Sequence, residues 1–373
     1  GGDPAFASTR FQDIYHHPVS LAERWAKKVA DHGIDTISGN LLADVSFFHE
    51  QAVPDTWIYE DIGNYYGAGA SGLSYRENAY KIIFRSPSGA GRETDIIRTE
   101  PKMQGLDIIN KVTTAANNRD NAYIYGIPES MQITIRGTIP AGRQSFTIKG
   151  SMPRPAYAFL HKLKQHLADY GVVLKGKLQV KHRYIKMDKP DTLAVLASPR
   201  LSVLAEYTNR KSINLYAEHL GRQLAKYRQQ PTGPEDAADA VTEFWKDRNL
   251  PVEGMQLYDC SGLSRSNAVT ARQFTSLLQF MADSSAVGQA FMKSLPVAGQ
   301  HGTMRYFGKN TALEGNLRAK SGSMDNIRAY AGYVQDKNGK RIAFAIMLNN
   351  YTGSSSAIRN KIASLLEALA LMS

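Results

Sequence analysis

Two short polar runs carry the residue types that acyl-transfer chemistry needs. Lys320-Ser321-Gly322 lies far downstream of Ser212-Ile213-Asn214. A Lys-Ser-Gly run entering a strand sets an ammonium and a hydroxyl against a substrate carboxylate, while the glycine lets a substrate backbone lie close. A Ser-x-Asn loop offers a hydroxyl for proton relay and an amide that can orient a substrate carbonyl. Ser323 follows on the same run, and its backbone N–H could serve an oxyanion hole. These are two thirds of a serine acyl-transfer site. The nucleophile is the missing third, because no serine in the sequence has lysine three positions later.

Each run alone is unspecific. Ser38-Gly39-Asn40 also fits Ser-x-Asn and reads as a turn into a strand. Ser212 differs because it follows the polar break Asn209-Arg210-Lys211 and precedes a helical apolar pattern, although a plain helix cap at Ser212 or Asn214 fits too. Asp259-Cys260-Ser261-Gly262-Leu263-Ser264-Arg265 reads as a tight polar turn. Either Asp259 holds its own backbone there, or Arg265 faces an anionic substrate group. Cys260, the single cysteine, has no neighbouring base and is not expected to be a nucleophile. Gly67–Gly72 matches G-x-G-x-x-G, but the following text looks extended, so a hinge is expected rather than a dinucleotide site. No His-x-x-x-His pair is present, and neither a metal nor a cofactor is expected.

The elements that must position these runs follow from periodicity. Ser20 with Glu23 has capping-box spacing and opens a helix that stops at Gly33. Extended segments are expected at 34–37 and 41–48, and strand-like text runs from Asn78 to about Ile148. Pro155 starts a second helix carrying Leu160, Leu163 and Leu167, and a strand near 172–180 follows. Asp188–Asp191 reads as a linker. Helices are then expected at 201–209, 215–227 and 234–247. Three extended runs at 317–321, 327–334 and 341–348, joined partly by the turn Lys337-Asn338-Gly339, precede a last amphipathic helix through Ile358, Ile362, Leu365, Leu366 and Leu369. The pattern predicts an α+β fold.

At 373 residues, 43% hydrophobic and 21% charged, the chain has ample material for cores, and no apolar run is long enough to span a bilayer. The net charge of +11 suits nucleic acid, an anionic membrane surface or an acidic polymer such as cell wall, and its scatter without a block of five cations argues against nucleic acid.

Together these residues resemble the class C low-molecular-mass penicillin-binding proteins, D-Ala-D-Ala carboxypeptidases and endopeptidases of the bacterial cell wall. Gly1-Gly2-Asp3-Pro4, Asn209–Leu220, Asp259–Arg265 and Arg318–Met324 carry the resemblance in order over nearly the whole chain. Ser-x-Asn and Lys-Ser/Thr-Gly are the family's second and third signatures beside Ser-x-x-Lys. The resemblance implies a penicillin-recognising serine peptidase-like domain with inserted strand-rich domains. Residues 1–63 and 151–193 would form the inserted second domain, 64–150 a small third domain, and 194–373 the C-terminal part of the peptidase domain. It implies acylation by peptidoglycan stem peptides, inhibition by β-lactam antibiotics, and a periplasmic or cell-envelope location.

Carried over by position, Ser212 relays a proton, Asn214 orients the acyl-side amide, and Lys320 with Ser321 binds the terminal carboxylate. Ser323 N–H forms half the oxyanion hole. Gly322, Met324 and Arg265 border the substrate, and Glu60 or Asp61, in Trp57-Ile58-Tyr59-Glu60-Asp61, meets the stem peptide's diamino-acid side chain. The Ser-x-x-Lys segment is expected upstream of Gly1, which would make this chain an inactive fragment with an uncovered sheet edge. A non-catalytic, peptidoglycan-binding relative is the alternative. Cys260 stands where the family has glycine and is expected to crowd the turn.

Overall fold

The computed structural model describes residues 1–11, 20–184, 186 and 190–373; of the expected linker, 188 and 189 lie outside the described residues. In chain order the elements are α1 (Leu21–Asp31), β1 (Thr36–Ile37), β2 (Leu41–Asp44), the single turn α2 (Tyr59–Ile62) and β3 (Ala79–Ser86). Next come β4 (Asp95–Glu100), β5 (Asp107–Ala115), β6 (Asn121–Tyr125), β7 (Gln132–Pro140), β8 (Arg143–Ser151) and α3 (Pro155–Asp169). They are followed by β9 (Val173–Leu174), β10 (Leu178–Lys181), α4 (Leu201–Lys211), α5 (Asn214–Tyr227) and α6 (Pro234–Lys246). The last are α7 (Ala271–Asp283), α8 (Gly288–Ser294), β11 (Arg318–Met324), β12 (Ile327–Gln335), β13 (Arg341–Asn349) and α9 (Ser355–Ala370). The fold is α+β, with several separate sheets. Two compact units are formed, one by Gly1–Ser198, Asn214–Ala240 and Tyr258–Arg265, the other by Pro199–Ile213, Val241–Leu257 and Ser266–Ser373.

In the first unit, Ser20 Oγ accepts from Glu23 N at 3.2 Å and starts α1, while Pro155 at the first turn starts α3. Leu160, Leu163 and Leu167 are buried, and Phe159 packs edge-on against Phe6 and Trp25 with centroids 4.9 and 5.6 Å away. The strand-like text resolves into two three-stranded sheets, β4-β3-β8 and β5-β7-β6. Ile133, Ile135 and Ile139 of β7 share one face and enter the same core as Ile82, Phe84 and Ile148. β5 and β7 run parallel, which the sequence pattern does not indicate. The expected strand at 172–180 is two short ones, β9 and β10, in different two-stranded sheets. Only 41–44 of the expected 41–48 is strand. Gly1–Pro4, which carries part of the resemblance and would be a strand in that family, belongs to no strand, and Gly2 has φ +73.

The glycine run has a packing reason. A Cβ at Gly63 would lie 2.0 Å from Ile124 O, and one at Gly67 would lie 2.1 Å from Asp61 O. Backbone presses on backbone there, so α2 can lie tight against β6.

The second unit is built on the antiparallel sheet β11-β12-β13. Its alternation is clean. Tyr330, Val334 and Phe344 join Ile362 and Leu366 of α9 in one core, while Tyr333 with Ala331 and Ala343 packs on Leu278 of α7 and on Leu295. The β12–β13 connection is closed by Asp336, whose Oδ1 accepts from Asn338 N and Lys340 N at 2.9 Å each, with Gly339 at φ +77. α7 lies where no helix is expected above, although Phe274, Leu277, Leu278 and Met281 recur at i, i+3, i+4 and i+7 and Thr270 with Gln273 forms a reciprocal capping box at its start.

Phe159→Ala should cost about 3–5 kcal/mol, because a large aromatic is removed from a three-ring contact that cannot collapse. Urea unfolding followed by tryptophan fluorescence measures it. A loss below about 1 kcal/mol would show that this cluster does not organise the first unit's core.

Candidate functional site

The second unit brings Ser212, Lys320 and Ser321 together. α4 ends at Ser212, which sits in the left-handed region at φ 54, ψ 55. Few non-glycine residues adopt that conformation, and it turns the Ser212 side chain out of the helical path. The helix end is fastened to α8 and its C-terminus: Asn209 Nδ2 donates to Ser294 Oγ at 2.7 Å, and Arg210 Nη2 donates to Lys293 O at 3.0 Å. Lys320 Nζ then donates to Ser212 Oγ at 2.8 Å and to Ser321 O at 2.6 Å. Ser321 Oγ donates to Thr303 Oγ1 at 2.9 Å.

Register explains the two directions. Lys320 pairs with Ala331 and Gly322 with Ala329, whereas Ser321 pairs with Tyr330. Lys320 and Gly322 therefore share one face of β11 and Ser321 takes the other. The cross-strand partners of Lys320 and Gly322 are both alanines, so the space above them is shallow and open. A Cβ at Gly322 would make only an ordinary 3.6 Å contact with Ala329. Packing within this unit does not require glycine there, and its smallness leaves room for a ligand. β11 is an edge strand. Its outer side is bonded through Ala298 N to Leu317 O and through Ala319 N to Pro296 O. Beyond Ala319, Gly322 and Ser323 are exposed.

Lys320 is half-buried, and burial pulls its ammonium down to about 8. With two oxygen acceptors and no carboxylate bonded to it among the described residues, the group is an incompletely neutralised cation. A third acceptor carrying negative charge would complete it.

The first unit holds the other candidates. Asn214 Nδ2 donates to Tyr66 O at 2.9 Å. Asp61 is buried and accepts from the Tyr66 hydroxyl at 3.1 Å; burial first, and then the Asp61 charge and this bond, push the phenol upward. Glu60 is half-buried one position earlier, and Arg265 is exposed. Met324, Ser323 and Gly322 remain with Lys320 on β11 in the second unit.

Asp259 does hold its own loop. Its carboxylate accepts from Gly262 N at 2.9 Å and Ser264 N at 2.6 Å, and also from Trp57 Nε1 at 2.8 Å. Ser264 Oγ bonds Thr56 Oγ1 at 2.7 Å. The Arg265 loop is thus tied to the segment that carries Glu60. Glu218, on α5, completes the clamp by accepting from Cys260 N at 3.1 Å and Ser261 N at 2.8 Å with Oε1. Its Oε2 has no hydrogen-bond partner among the described residues. Burial and the Asp259 charge push Glu218 up to about 7, with Arg222 offsetting part of the effect. Arg222 spends its donors on the backbone carbonyls of Gln51, Ala52 and Thr232.

Neither Glu218 nor the Trp57–Asp259 bond is visible as a site in the sequence, since a lone Glu on an amphipathic helix reads as a solvated face. Cys260 does not crowd its turn. A Cβ at Gly221 would lie 2.1 Å from its Sγ, so the missing side chain on α5 makes the room. Burial pushes the thiol well up, away from a reactive thiolate. Buried His219, pulled down to about 3 by burial, is neutral; its ring nitrogens contact Ser74 Oγ at 2.8 Å and Gly2 O at 3.1 Å. No group of three or more His, Cys, Asp or Glu side chains is placed to hold a metal among the described residues.

The sequence model of the D-Ala-D-Ala carboxypeptidase 3 (S13) family matches residues 1–370. A D-alanyl-D-alanine carboxypeptidase of Actinomadura sp. (strain R39) is 29% identical over 376 residues, covering 94% of this chain and 68% of that relative. The D-alanyl-D-alanine carboxypeptidase DacB of Haemophilus influenzae is 23% identical over 341 residues, covering 90% and 70%. The crystal structure of penicillin binding protein 4 (dacB) from Haemophilus influenzae has a TM-score of 0.80 at 21% identity, covering 94% of this chain and 79% of that one. That likeness is one of fold. The chain spans about two thirds of the length of these curated relatives.

Glu218 binds its proton more tightly in the folded chain than in the unfolded one, where a glutamate titrates near 4.5. Between about 4.5 and about 7 the native state holds more protons, so stability should fall as pH rises across that window and level off on either side. Glu218→Gln keeps an oxygen acceptor for the Cys260 and Ser261 amides without the charge. It should flatten that slope and be more stable than the parent at pH 8. Denaturant midpoints across pH measure this, and identical slopes in both proteins would show that Glu218 does not titrate in this range.

Proposed function

The chain belongs to the D-Ala-D-Ala carboxypeptidase 3 (S13) family, serine D-Ala-D-Ala carboxypeptidases acting on peptidoglycan, and from that premise we propose how its residues serve the reaction. Lys320 and the Ser321 hydroxyl receive the terminal carboxylate of a stem peptide whose backbone lies along the open edge of β11 past Gly322. The observation that carries this is the Lys320 Nζ–Ser212 Oγ hydrogen bond of 2.8 Å. It joins the two motifs in one place and leaves the ammonium able to take an anionic acceptor.

In this reading a serine nucleophile attacks the carbonyl of the penultimate D-alanine, and Ser323 N–H stabilises the developing oxyanion. Ser212 passes a proton toward the leaving amine, while Asn214 holds the acyl-side amide. D-Alanine departs, and water then hydrolyses the serine ester. The nucleophile belongs to a Ser-x-x-Lys element outside these 373 residues. Glu60, more accessible than the buried Asp61, meets the diamino-acid side chain, with Arg265 beside it; Met324 borders the peptide on β11. The domain layout is part of the proposal: residues 64–150 form a small domain inserted in a second one made from 1–63 and 151–193, and 194–373 completes the peptidase domain. Peptidoglycan as substrate, β-lactams as acylating inhibitors and a periplasmic or cell-envelope location follow from it. Among the described residues no helix is long and apolar enough to cross a membrane.

Fluorescent penicillin tests the reading. A product carrying a Ser-x-x-Lys element ahead of this chain should be labelled covalently, and the 373-residue chain alone should not. In the labelled product Lys320→Met should slow acylation about 10- to 100-fold, the worth of a charge-assisted hydrogen bond. Because the ammonium is pulled down to about 8, labelling should decline above that pH, and Lys320→Arg should carry the plateau higher. No label on the longer product would sink the catalytic reading and leave a peptidoglycan-binding relative.

A further inference from the structure

A cavity of about 280 Å³ lies wholly within the first unit and has no part in the reaction described above. Arg76, Lys102, Arg154, His161 and Lys162 line it, and no Asp or Glu does so among the described residues. From this cavity we propose an anion-binding site that takes a phosphate ester with a polar, sugar-sized body.

Three independent observations support it. The first is backbone strain. Arg76 and Arg154 both have left-handed backbones, at φ +53 and +50, in a region β-carbon-bearing residues seldom occupy. Arg76 begins a run of three such residues with Glu77 and Asn78. Such outliers persist only where the surroundings over-determine them. Here they do. Glu77 accepts from Ser8 Oγ, Arg10 Nε and Tyr216 OH at 2.7, 2.7 and 2.9 Å. Asn78 Nδ2 donates to Gly69 O and Ser74 Oγ, and its Oδ1 takes Tyr75 N at 2.9 Å. Glu77 and Asn78 anchor the turn, and Arg76 is the side chain it delivers to the cavity.

The second is charge. Arg154 has a partner in Glu129 at 3.4 Å, but no ion pair is formed by Arg76, Lys102 or Lys162 among the described residues. Several cations around one concavity, with a single carboxylate partner outside the lining, repel one another unless a multiply charged anion enters. A dianionic phosphate meets that need better than a single carboxylate, and guanidinium forks match its oxygens.

The third is the rest of the wall. Tyr157, His161 and Gln165 recur at four-residue spacing along α3, so one helix face presents hydroxyl, imidazole and amide groups to the cavity. Tyr157 packs edge-on against His161 with centroids 4.9 Å apart, which holds both rings in place. A volume of about 280 Å³ leaves room for a hexose beside the phosphate, and these groups suit its hydroxyls.

Isothermal titration of the 373-residue chain with glucose 1-phosphate, inorganic phosphate and glucose tests this at about 0.1 M salt. The ester should bind tightest, inorganic phosphate more weakly, and glucose not measurably. Arg76→Gln and, separately, Lys162→Gln should each weaken the ester at least tenfold with the circular dichroism spectrum unchanged. Exposed Lys102→Gln, whose side chain makes no hydrogen bond or ion pair among the described residues, provides a variant safe for folding and should weaken it several-fold. Equal binding of ester and glucose, or unchanged affinity in Lys102→Gln and Lys162→Gln, would overturn the proposal. The outcome does not depend on penicillin labelling, so it stands or falls apart from the catalytic reading.

Discussion

Lys320 has to remain a cation while half out of water, and much of the second unit is arranged around that demand. Burial alone would favour the neutral amine. The hydroxyl of Ser212 and the carbonyl of Ser321 offer lone pairs without charge, so they hold the ammonium in place and leave part of its field unspent. Meeting Ser212 requires α4 to end in a left-handed residue at a fixed distance from the sheet. That in turn requires the Asn209–Ser294 and Arg210–Lys293 bonds to α8 and its C-terminus. It also requires β11 in its present register. A slip of one residue would turn Lys320 to the face of Tyr330 and bring Ser321 to Ser212, leaving two hydroxyls and no cation.

The first unit solves a related problem in the opposite way. Its buried charges are spent on backbone. Asp259 accepts two loop amides and an indole, Glu218 accepts two more amides, and Arg222 donates to carbonyls on strands of chain far from it in sequence. Charge-to-backbone bonds are strong and fix loops that have no regular structure of their own. Here they fix the loop bearing Arg265 to the segment bearing Glu60. Among the described residues the arrangement leaves Arg222 Nε and Glu218 Oε2 unpartnered, and the carboxylate oxygen makes the clamp sensitive to protonation.

The legible parts were those whose signals are local. Alternation over Ile327–Val334 and Arg341–Leu348, with Asn338-Gly339 between, marks a hairpin because facing and turning are both written in adjacent residues. Pro155 and the leucines after it mark α3 for the same reason. Lys320-Ser321-Gly322 and Ser212-Ile213-Asn214 are legible as chemistry, but their meeting is not, since nothing local states which segments touch. The parallel pairing of β5 with β7 and the division of 172–180 between two sheets are likewise set by distant partners. Cys260 looked like a crowding substitution because its compensation sits at Gly221, on another element. α7 is also written locally, in the Thr270–Gln273 capping box and in Phe274, Leu277, Leu278 and Met281 at helical spacing, although no helix is expected there above.

An edge strand is ordinarily a liability, because its unpaired amides and carbonyls invite other chains. β11 manages this with composition. Lys320, Ser321 and Ser323 are polar, Gly322 is small, and the run before them is covered by the backbone of Pro296 and Ala298. The same features that discourage indiscriminate strand pairing favour one kind of partner. A peptide whose carboxylate reaches Lys320 gains a charge-assisted bond that a stray strand cannot supply, and the small residues at Gly322, Ala329 and Ala331 let its backbone come close enough to use the open amides. In the function proposed above, protection from aggregation and selection of a C-terminal peptide are therefore one design at this edge: the cation that repels casual partners is the group proposed to identify the right one.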